Sequence, residues 1–218
     1  GSAMPSNPLK RGLYLITPDD PDPARLLART TPLLAFASCL QLRNKAMDVD
    51  SLRDAGRRLR HACNHAGVPL IVNDDPALAR ELDADGVHLG EADGDIASAR
   101  TLLGDRAIIG VSCYDDIDRA RRLAAEGAGY LAFGAFFASP TKPHARRASL
   151  DLLRDSADLG LPRVAIGGIT ADNAPSLVAA GADLVAVISG VFDAADPVAA
   201  ARAYHSCFDT GIPGTQSE

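Results

Sequence analysis

Eight short apolar, β-branched runs recur along the chain, and longer stretches with helical spacing separate them. The runs span residues 12–17, 36–42, 69–73, 86–89, 107–112, 130–134, 163–166 and 184–188. Helical patterns lie between them, for example over 51–66 (SLRDAGRRLRHACNHA), 116–126 and 171–180. Strand and helix in strict alternation predict a parallel sheet with helices as crossovers. Eight such units without a Pro/Gly/Ser linker predict an α/β fold, a single (β/α)8 TIM barrel, over residues 5–210. An open doubly wound sheet is the alternative. Its first strand would run into a GxGxxG turn, and GLYLITPDD carries none.

The punctuation agrees. HAGVPL, LDADGVHL, AEGAGYLAF and AAGADLVAV each place a glycine between a helix and the following strand, as a left-handed C-terminal cap requires. In NDDPALAR, Asp75 stands at an N-cap with Pro76 at the first helical position, and Thr170 of ITADNAP fits the same capping role. Residues 1–4 (GSAM) read as an expression scar, and the small polar stretch 211–218 as a disordered tail.

Composition narrows the function. The net charge of −6 argues against a nucleic-acid partner, though a local cluster of cations can still serve an anionic small molecule. No apolar run reaches the ~18 residues needed to span a bilayer, and no signal peptide is evident, so a cytoplasmic protein without a membrane partner is expected. Cys39, Cys63, Cys113 and Cys207 are scattered without CxxC or metal spacing; Cys39 and Cys113 fall in apolar strands and read as small core residues. Oligomeric state is left open, a homo-oligomer included.

In such a barrel the site lies at the C-terminal ends of the strands. The second strand ends in LQLRNK, where Gln41, Arg43 and Lys45 share one face and Leu40 and Leu42 the other. Two cations there call for an anion. The third end offers Asn73, Asp74 and Asp75, and the fourth His88, Glu91 and Asp93. The fifth ends at Ser112, and the sixth runs into a loop with Ser139, Thr141 and Lys142. Thr17-Pro18-Asp19, after the first strand, says little. Gly167-Gly168 and Ser189-Gly190 follow strands seven and eight, where backbone N–H groups and a helix start build phosphate sites.

Asp74 and Asp93 end neighbouring strands ~4.8 Å apart, so their carboxylates can share one ion. Two carboxylates with no His or Cys beside them suit Mg²⁺, which keeps waters and takes phosphate oxygens. Asp75 is the helix cap; Glu91, Asp48 and Asp50 read as surface, and His88 as facing inward near the barrel top. Lys142 enters on the rim with Arg43 and Lys45. Together these describe one pocket for a diphosphate held with Mg²⁺ and a second, monophosphate substrate.

On these residues the chain resembles the thiamine phosphate synthase family, whose members join the pyrimidine and thiazole halves of vitamin B1. The motifs are QLRNK, VNDD, ADGVHLGEAD, IIGVSC, FGAFFASPTK, AIGGIT and AVISGVF. Taken together, QxRxK, NDD and the Ser/Thr-Lys loop are specific; GGIT and ISG recur in many phosphate-binding barrels. One departure is GAFFASPTK, where members often have Gly-Pro-Ile or Gly-Pro-Val. The resemblance implies that Asp74 and Asp93 bind Mg²⁺. It implies that Gln41, Arg43, Lys45, Asn73, Ser112 and Lys142 meet the pyrimidine diphosphate, with His88 near the ring. Ser139, Thr141, Gly168, Ile188 and Ser189 would hold the thiazole phosphate.

The implied reaction is dissociative. The amino-substituted pyrimidine stabilises the cation left when diphosphate departs, and the thiazole nitrogen then attacks. Arg43, Lys45, Lys142 and Ser112 are its catalytic candidates, and no protein nucleophile is required. Two rivals stand beside it: a thiazole tautomerase-like isomerase on the same barrel, and a non-catalytic sensor of phosphate ligands.

Overall fold

The structure is a computed structural model that describes residues 9–139 and 142–209. Its strands are β1 (Gly12–Ile16), β2 (Ala37–Leu42), β3 (Leu70–Asn73), β4 (Gly86–Leu89), β5 (Ile108–Tyr114), β6 (Tyr130–Phe133), β7 (Arg163–Ile166) and β8 (Leu184–Val187). All neighbours are parallel, and β8 pairs with β1 to close the barrel in sequence order. The helices are α1 (Pro23–Thr30), α2 (Val49–Ala66), α3 (Pro76–Glu81), α4 (Ile96–Leu103), α5 (Ile117–Ala125), α6 (Leu150–Asp155), α7 (Ala174–Ala180), α8 (Ser189–Phe192) and α9 (Pro197–Ser206). No described helix is long and apolar enough to cross a membrane.

Strand alternation sorts the side chains into two layers. Leu13, Leu15, Leu40, Leu42, Val72, Val87, Val111 and Val185 point outward and pack with the helices. Tyr14, Ile16, Cys39, Ile71, Ile108, Tyr130, Val164, Leu184 and Ala186 fill the barrel interior. Cys39 and Cys113 are both buried, as expected of small core residues. Full burial of one such Leu or Ile contributes roughly 1.5–3 kcal/mol.

Helix starts follow the capping chemistry. The carboxylates of Asp22, Asp48, Asp75, Asp95, Asp116 and Asp196 each accept from backbone N–H groups in the first turn of α1, α2, α3, α4, α5 and α9. Asp48 is exposed, as expected, and serves as a cap as well. Gly67 and Gly181 cap α2 and α7 in the left-handed region, and Gly127 has the same backbone sign just past α5.

Gly86 corrects an expectation. It opens β4 and does not cap a helix; a Cβ there would strike the carbonyl oxygen of Ile108 on β5. The left-handed turn after α3 falls instead on Asp83 (φ 50). α7 also begins three residues later than its pattern indicated. Thr170 and Asn173 instead exchange reciprocal hydrogen bonds that build a turn ahead of it, Thr170 N–H to Asn173 Oδ1 at 2.8 Å and Asn173 N–H to Thr170 Oγ1 at 3.1 Å.

Candidate active site

Gln41 is the last inward residue of β2 and is buried in the barrel. The strand ends at Leu42, so Arg43 and Lys45 lie on the loop beyond it, a correction to their placement on the strand. They are fixed there by the end of β1. Thr17 Oγ1 accepts from Arg43 N–H at 2.9 Å and donates to Arg43 O at 2.7 Å. Asp19 Oδ1 accepts from Lys45 N–H at 2.8 Å and stands 4.0 Å from the Arg43 guanidinium. Asn44 donates to Asp20 O at 2.7 Å and accepts from Ala46 and Met47 N–H groups. The segment after the first strand, which looked uninformative, is what holds the cations in place.

Asp74 follows β3 with φ 66, a left-handed conformation unusual for a residue with a Cβ and most tolerable for Asn or Asp. Its N–H donates to His88 O at 2.8 Å. Asp93 Oδ2 accepts from Gly90 N–H at 2.7 Å, which holds its carboxylate in the loop after β4. Burial first, and then the Asp93 carboxylate beside it, raise the Asp74 carboxyl to about 6, while Lys45 and Arg43 pull it down. Both carboxylates and both cations therefore share one electrostatic neighbourhood. Two like charges held together are what a hard divalent cation relieves. Among the described residues no cluster of three or more His, Cys, Asp or Glu side chains is placed to hold a metal. Two carboxylates are the hard oxygen donors that Mg²⁺ takes, with waters and substrate oxygens completing its shell.

His88 faces inward, as expected, and burial lowers its pKa to about 4. Both nitrogens are engaged: Nδ1 lies 2.6 Å from Tyr130 Oη and Nε2 lies 2.7 Å from Ser112 Oγ. Tyr130 Oη is 2.7 Å from Tyr14 Oη, to which Gln41 Nε2 donates at 3.0 Å. Tyr14 and Tyr130 belong to this network but, on strands, read as core. Asn73 pairs with His88 across β3 and β4, on the inward face that Ile71 also occupies.

The loop after β6 covers the far side. Phe136 and Phe137 N–H groups donate to the carbonyls of Ile166 and Gly167, extending β7. Gly167 and Gly168 both have positive φ, and a Cβ on either would collide with this loop at Ala135 or at the carbonyls of Phe137 and Ala138. Their glycine identity therefore follows from loop packing as well as from any approach to an anion. At the departure from the family pattern, Ala135 N–H donates to Arg146 O at 2.7 Å, a bond proline could not make.

Ser139 Oγ accepts from Lys142 N–H at 3.2 Å, and Lys142 is exposed on this loop. Thr141 lies outside the described residues. Arg146 ties the loop to the Asp93 loop: its guanidinium is 2.8 Å from Glu91 Oε1 and 4.1 Å from the Tyr114 ring centroid. Glu91 is exposed, as expected, and has this surface partner.

Ile188 and Ser189 lie at the start of α8, whose first N–H groups have no intrahelical partner. Gly190 is needed because Tyr204 Oη, which donates to Ile169 O at 2.8 Å, fills the space of a Cβ.

Fold and rim together define an enzyme of the phosphate-handling (β/α)8 class, with cations, paired carboxylates and two glycine-rich turns around one mouth. A profile described as thiamine monophosphate synthase matches residues 13–191. The thiamine-phosphate synthase of Xanthomonas campestris pv. campestris (strain 8004) is 60% identical over 205 residues, covering 94% of this chain and 99% of its own. That of Azoarcus sp. (strain BH72) is 58% identical over 200 residues, covering 91% and 97%. The solved thiamine phosphate pyrophosphorylase from Pyrococcus furiosus superposes with a TM-score of 0.82 at 32% identity, over 93% of this chain and 96% of that one. The chain belongs to the thiamine monophosphate synthase family.

Proposed function

We propose that the chain condenses 4-amino-2-methyl-5-hydroxymethylpyrimidine diphosphate with hydroxyethylthiazole phosphate by a dissociative mechanism at this mouth. As a member of its family it is a transferase that makes thiamine phosphate. The observation that carries the mechanistic reading is the grouping of Arg43 and Lys45 with Asp74 and Asp93 on adjacent strand ends.

In the reaction the pyrimidine CH₂–O bond breaks with its electron pair going to the diphosphate. The thiazole nitrogen lone pair then forms the new C–N bond, and diphosphate leaves. Bound between Asp74 and Asp93, Mg²⁺ would neutralise diphosphate oxygens and so favour bond breaking. Arg43 and Lys45, pinned by Thr17 and Asp19, hold the diphosphate. Lys142 approaches on its loop as charge develops, and Ser112 contributes a hydroxyl. Gln41, Asn73 and His88 position the pyrimidine. Ser139, Thr141, Gly168, Ile188 and Ser189 receive the thiazole phosphate, which sets the nitrogen against the cationic carbon.

An isomerase on the same barrel needs an acid or base free to reach substrate. The His88 imidazole has both nitrogens occupied by hydroxyls, which disfavours that reading. The four free cysteines support a reducing, cytoplasmic setting, and the net charge of −6 supports small-molecule substrates over nucleic acid. The test is positional isotope exchange with ¹⁸O in the bridging position of the pyrimidine diphosphate. Scrambling into non-bridging positions, with an inert thiazole analogue bound, is expected; retention of label there, by enzyme that turns over fully with the thiazole phosphate itself, would overturn the dissociative reading.

A further inference from the structure

Five polar groups line up through the upper barrel interior: Gln41 Nε2, Tyr14 Oη, Tyr130 Oη, the His88 imidazole and Ser112 Oγ, joined at 3.0, 2.7, 2.6 and 2.7 Å. The row that makes this reach possible is set by strand register. His88 on β4 pairs with Gly110 on β5, and Gly110 pairs with Tyr130 on β6. All three positions face inward, and only the middle one lacks a side chain. A Cβ on Gly110 would overlap the Tyr130 ring. Without it, that ring spans β5 and stacks on His88 with centroids 5.6 Å apart and planes 24° from parallel.

We infer that this chain of hydrogen bonds runs in one direction, from Gln41 to Ser112, and that Tyr130 is the positioning residue that makes Ser112 a donor toward the substrate mouth. The inference rests on the proposed place of Ser112 at the diphosphate.

Tyr130, a singly protonated His88 and Ser112 have one proton each to give, so from Tyr130 to Ser112 the polarity of one link fixes the next. Tyr14 Oη accepts from the Gln41 amide, which leaves its own proton for Tyr130 Oη. Tyr130 then donates to His88 Nδ1. A neutral imidazole that accepts at Nδ1 carries its proton on Nε2, and that N–H faces Ser112 Oγ. Ser112 accepts there, so its own hydrogen is free to turn toward the mouth. In the opposite polarity Tyr130 donates to Tyr14, whose oxygen can accept from Gln41 and Tyr130 together, and His88 Nδ1–H donates to Tyr130. Ser112 would then donate back to His88 and offer only lone pairs to an anion, which is repulsive. An anionic substrate therefore selects the first polarity. Gln41 anchors the chain at the buried end, and Tyr130 transmits that choice across the barrel.

The test reads the tautomer directly. In ¹⁵N-histidine-labelled protein with the pyrimidine diphosphate bound, long-range ¹H–¹⁵N correlations of His88, assigned by comparison with His88→Gln, should show a pyridine-like Nδ1 and a pyrrole-like Nε2. Tyr130→Phe keeps the ring and its packing but removes the donor to Nδ1. In that variant both tautomers should appear, and kcat should fall on the order of tenfold, the scale of one hydrogen bond, with KM for the pyrimidine diphosphate little changed. A pyrrole-like Nδ1 in the wild type overturns the polarity. A Tyr130→Phe variant with one unchanged tautomer and wild-type kcat overturns the positioning role. If the tautomer is as expected but Ser112→Ala turns over at the wild-type rate, the substrate end of the chain is wrong, and that result is distinguishable from an error in polarity.

Discussion

One hydroxyl, Thr17 Oγ1, holds both the N–H and the carbonyl of Arg43, at 2.9 and 2.7 Å. It is fully buried at the end of β1, so the position of a cation on the second strand's loop is decided by the first strand. Thr17→Val preserves shape and removes both bonds. With each net hydrogen bond near 1 kcal/mol, KM for the pyrimidine diphosphate should rise roughly tenfold while kcat changes less. Steady-state kinetics with the diphosphate varied checks this; an unchanged KM would mean the loop holds Arg43 by other means.

Lys142 sits on a loop that Arg146 fastens to Glu91 and Tyr114. An interaction that strengthens in the transition state appears in kcat when removed, whereas uniform binding appears in KM. Lys142→Ala should lower kcat by roughly 10² or more, with KM for the diphosphate changed only a few-fold. Arg43→Ala should raise KM as well. Arg146→Met should act in the same sense as Lys142→Ala but by only a few-fold, since an exposed ion pair is worth ~1 kcal/mol or less. The double variant with Lys142→Ala should be no worse than Lys142→Ala alone, and additive losses would uncouple the clasp from the lysine.

Ser189→Asp tests the second phosphate position. A carboxylate at the start of α8 would occupy the anion's place and repel it. KM for the thiazole phosphate should rise steeply with little change for the pyrimidine diphosphate. Equal losses for both substrates would contradict two separate anion positions.

Asp20 links α1 to the cation loop. Its buried carboxylate accepts from Arg25 at 2.7 Å and Arg29 at 3.0 Å, while its backbone carbonyl accepts from Asn44. Chiefly the Arg25 hydrogen bond holds the carboxyl well below the usual range. A carboxyl depressed on folding adds stability above its unfolded pKa of ~3.9, and that stability is lost as pH falls from there toward the folded value. Asp20→Asn should therefore cost roughly 1–3 kcal/mol near neutral pH, with a shrinking difference from wild type on acidification below about pH 4. Denaturant melts of both proteins along a pH series check this. A difference that stays constant with pH would show that the charge is not what stabilises the contact.

The barrel was legible because its signals are local. Period-two alternation separates Leu40 and Leu42 from Gln41, and capping aspartates and C-terminal glycines mark the helix ends. The strand ends that carry the candidate site residues were legible for the same reason. What escaped notice depends on contacts remote in sequence. Tyr14 and Tyr130 meet across 116 residues, and on a strand a tyrosine reads as core. One signal could have been followed: Gly110 interrupts an otherwise apolar strand, which marks a close approach of something large. The pairing of surface-exposed Glu91 with Arg146 went unread because the two lie on different loops. Gly86 was misread because a glycine before a strand suits both a helix cap and a tight strand crossing, and only the position of Ile108 decides between them.

We propose that Asp74 and Asp93 hold Mg²⁺ against a diphosphate on its way out. The most direct measurement is diphosphate release with both substrates present, titrated with Mg²⁺, for wild type, Asp74→Asn and Asp93→Asn. Calorimetric binding of the thiazole phosphate to each serves as the control for folding. Release by the wild type should require both substrates and saturate with Mg²⁺. Each variant should lose most of its activity at limiting Mg²⁺ while still binding the thiazole phosphate. Release within a few-fold of wild type by either variant at limiting Mg²⁺, or release by the wild type without any divalent cation, would contradict the account.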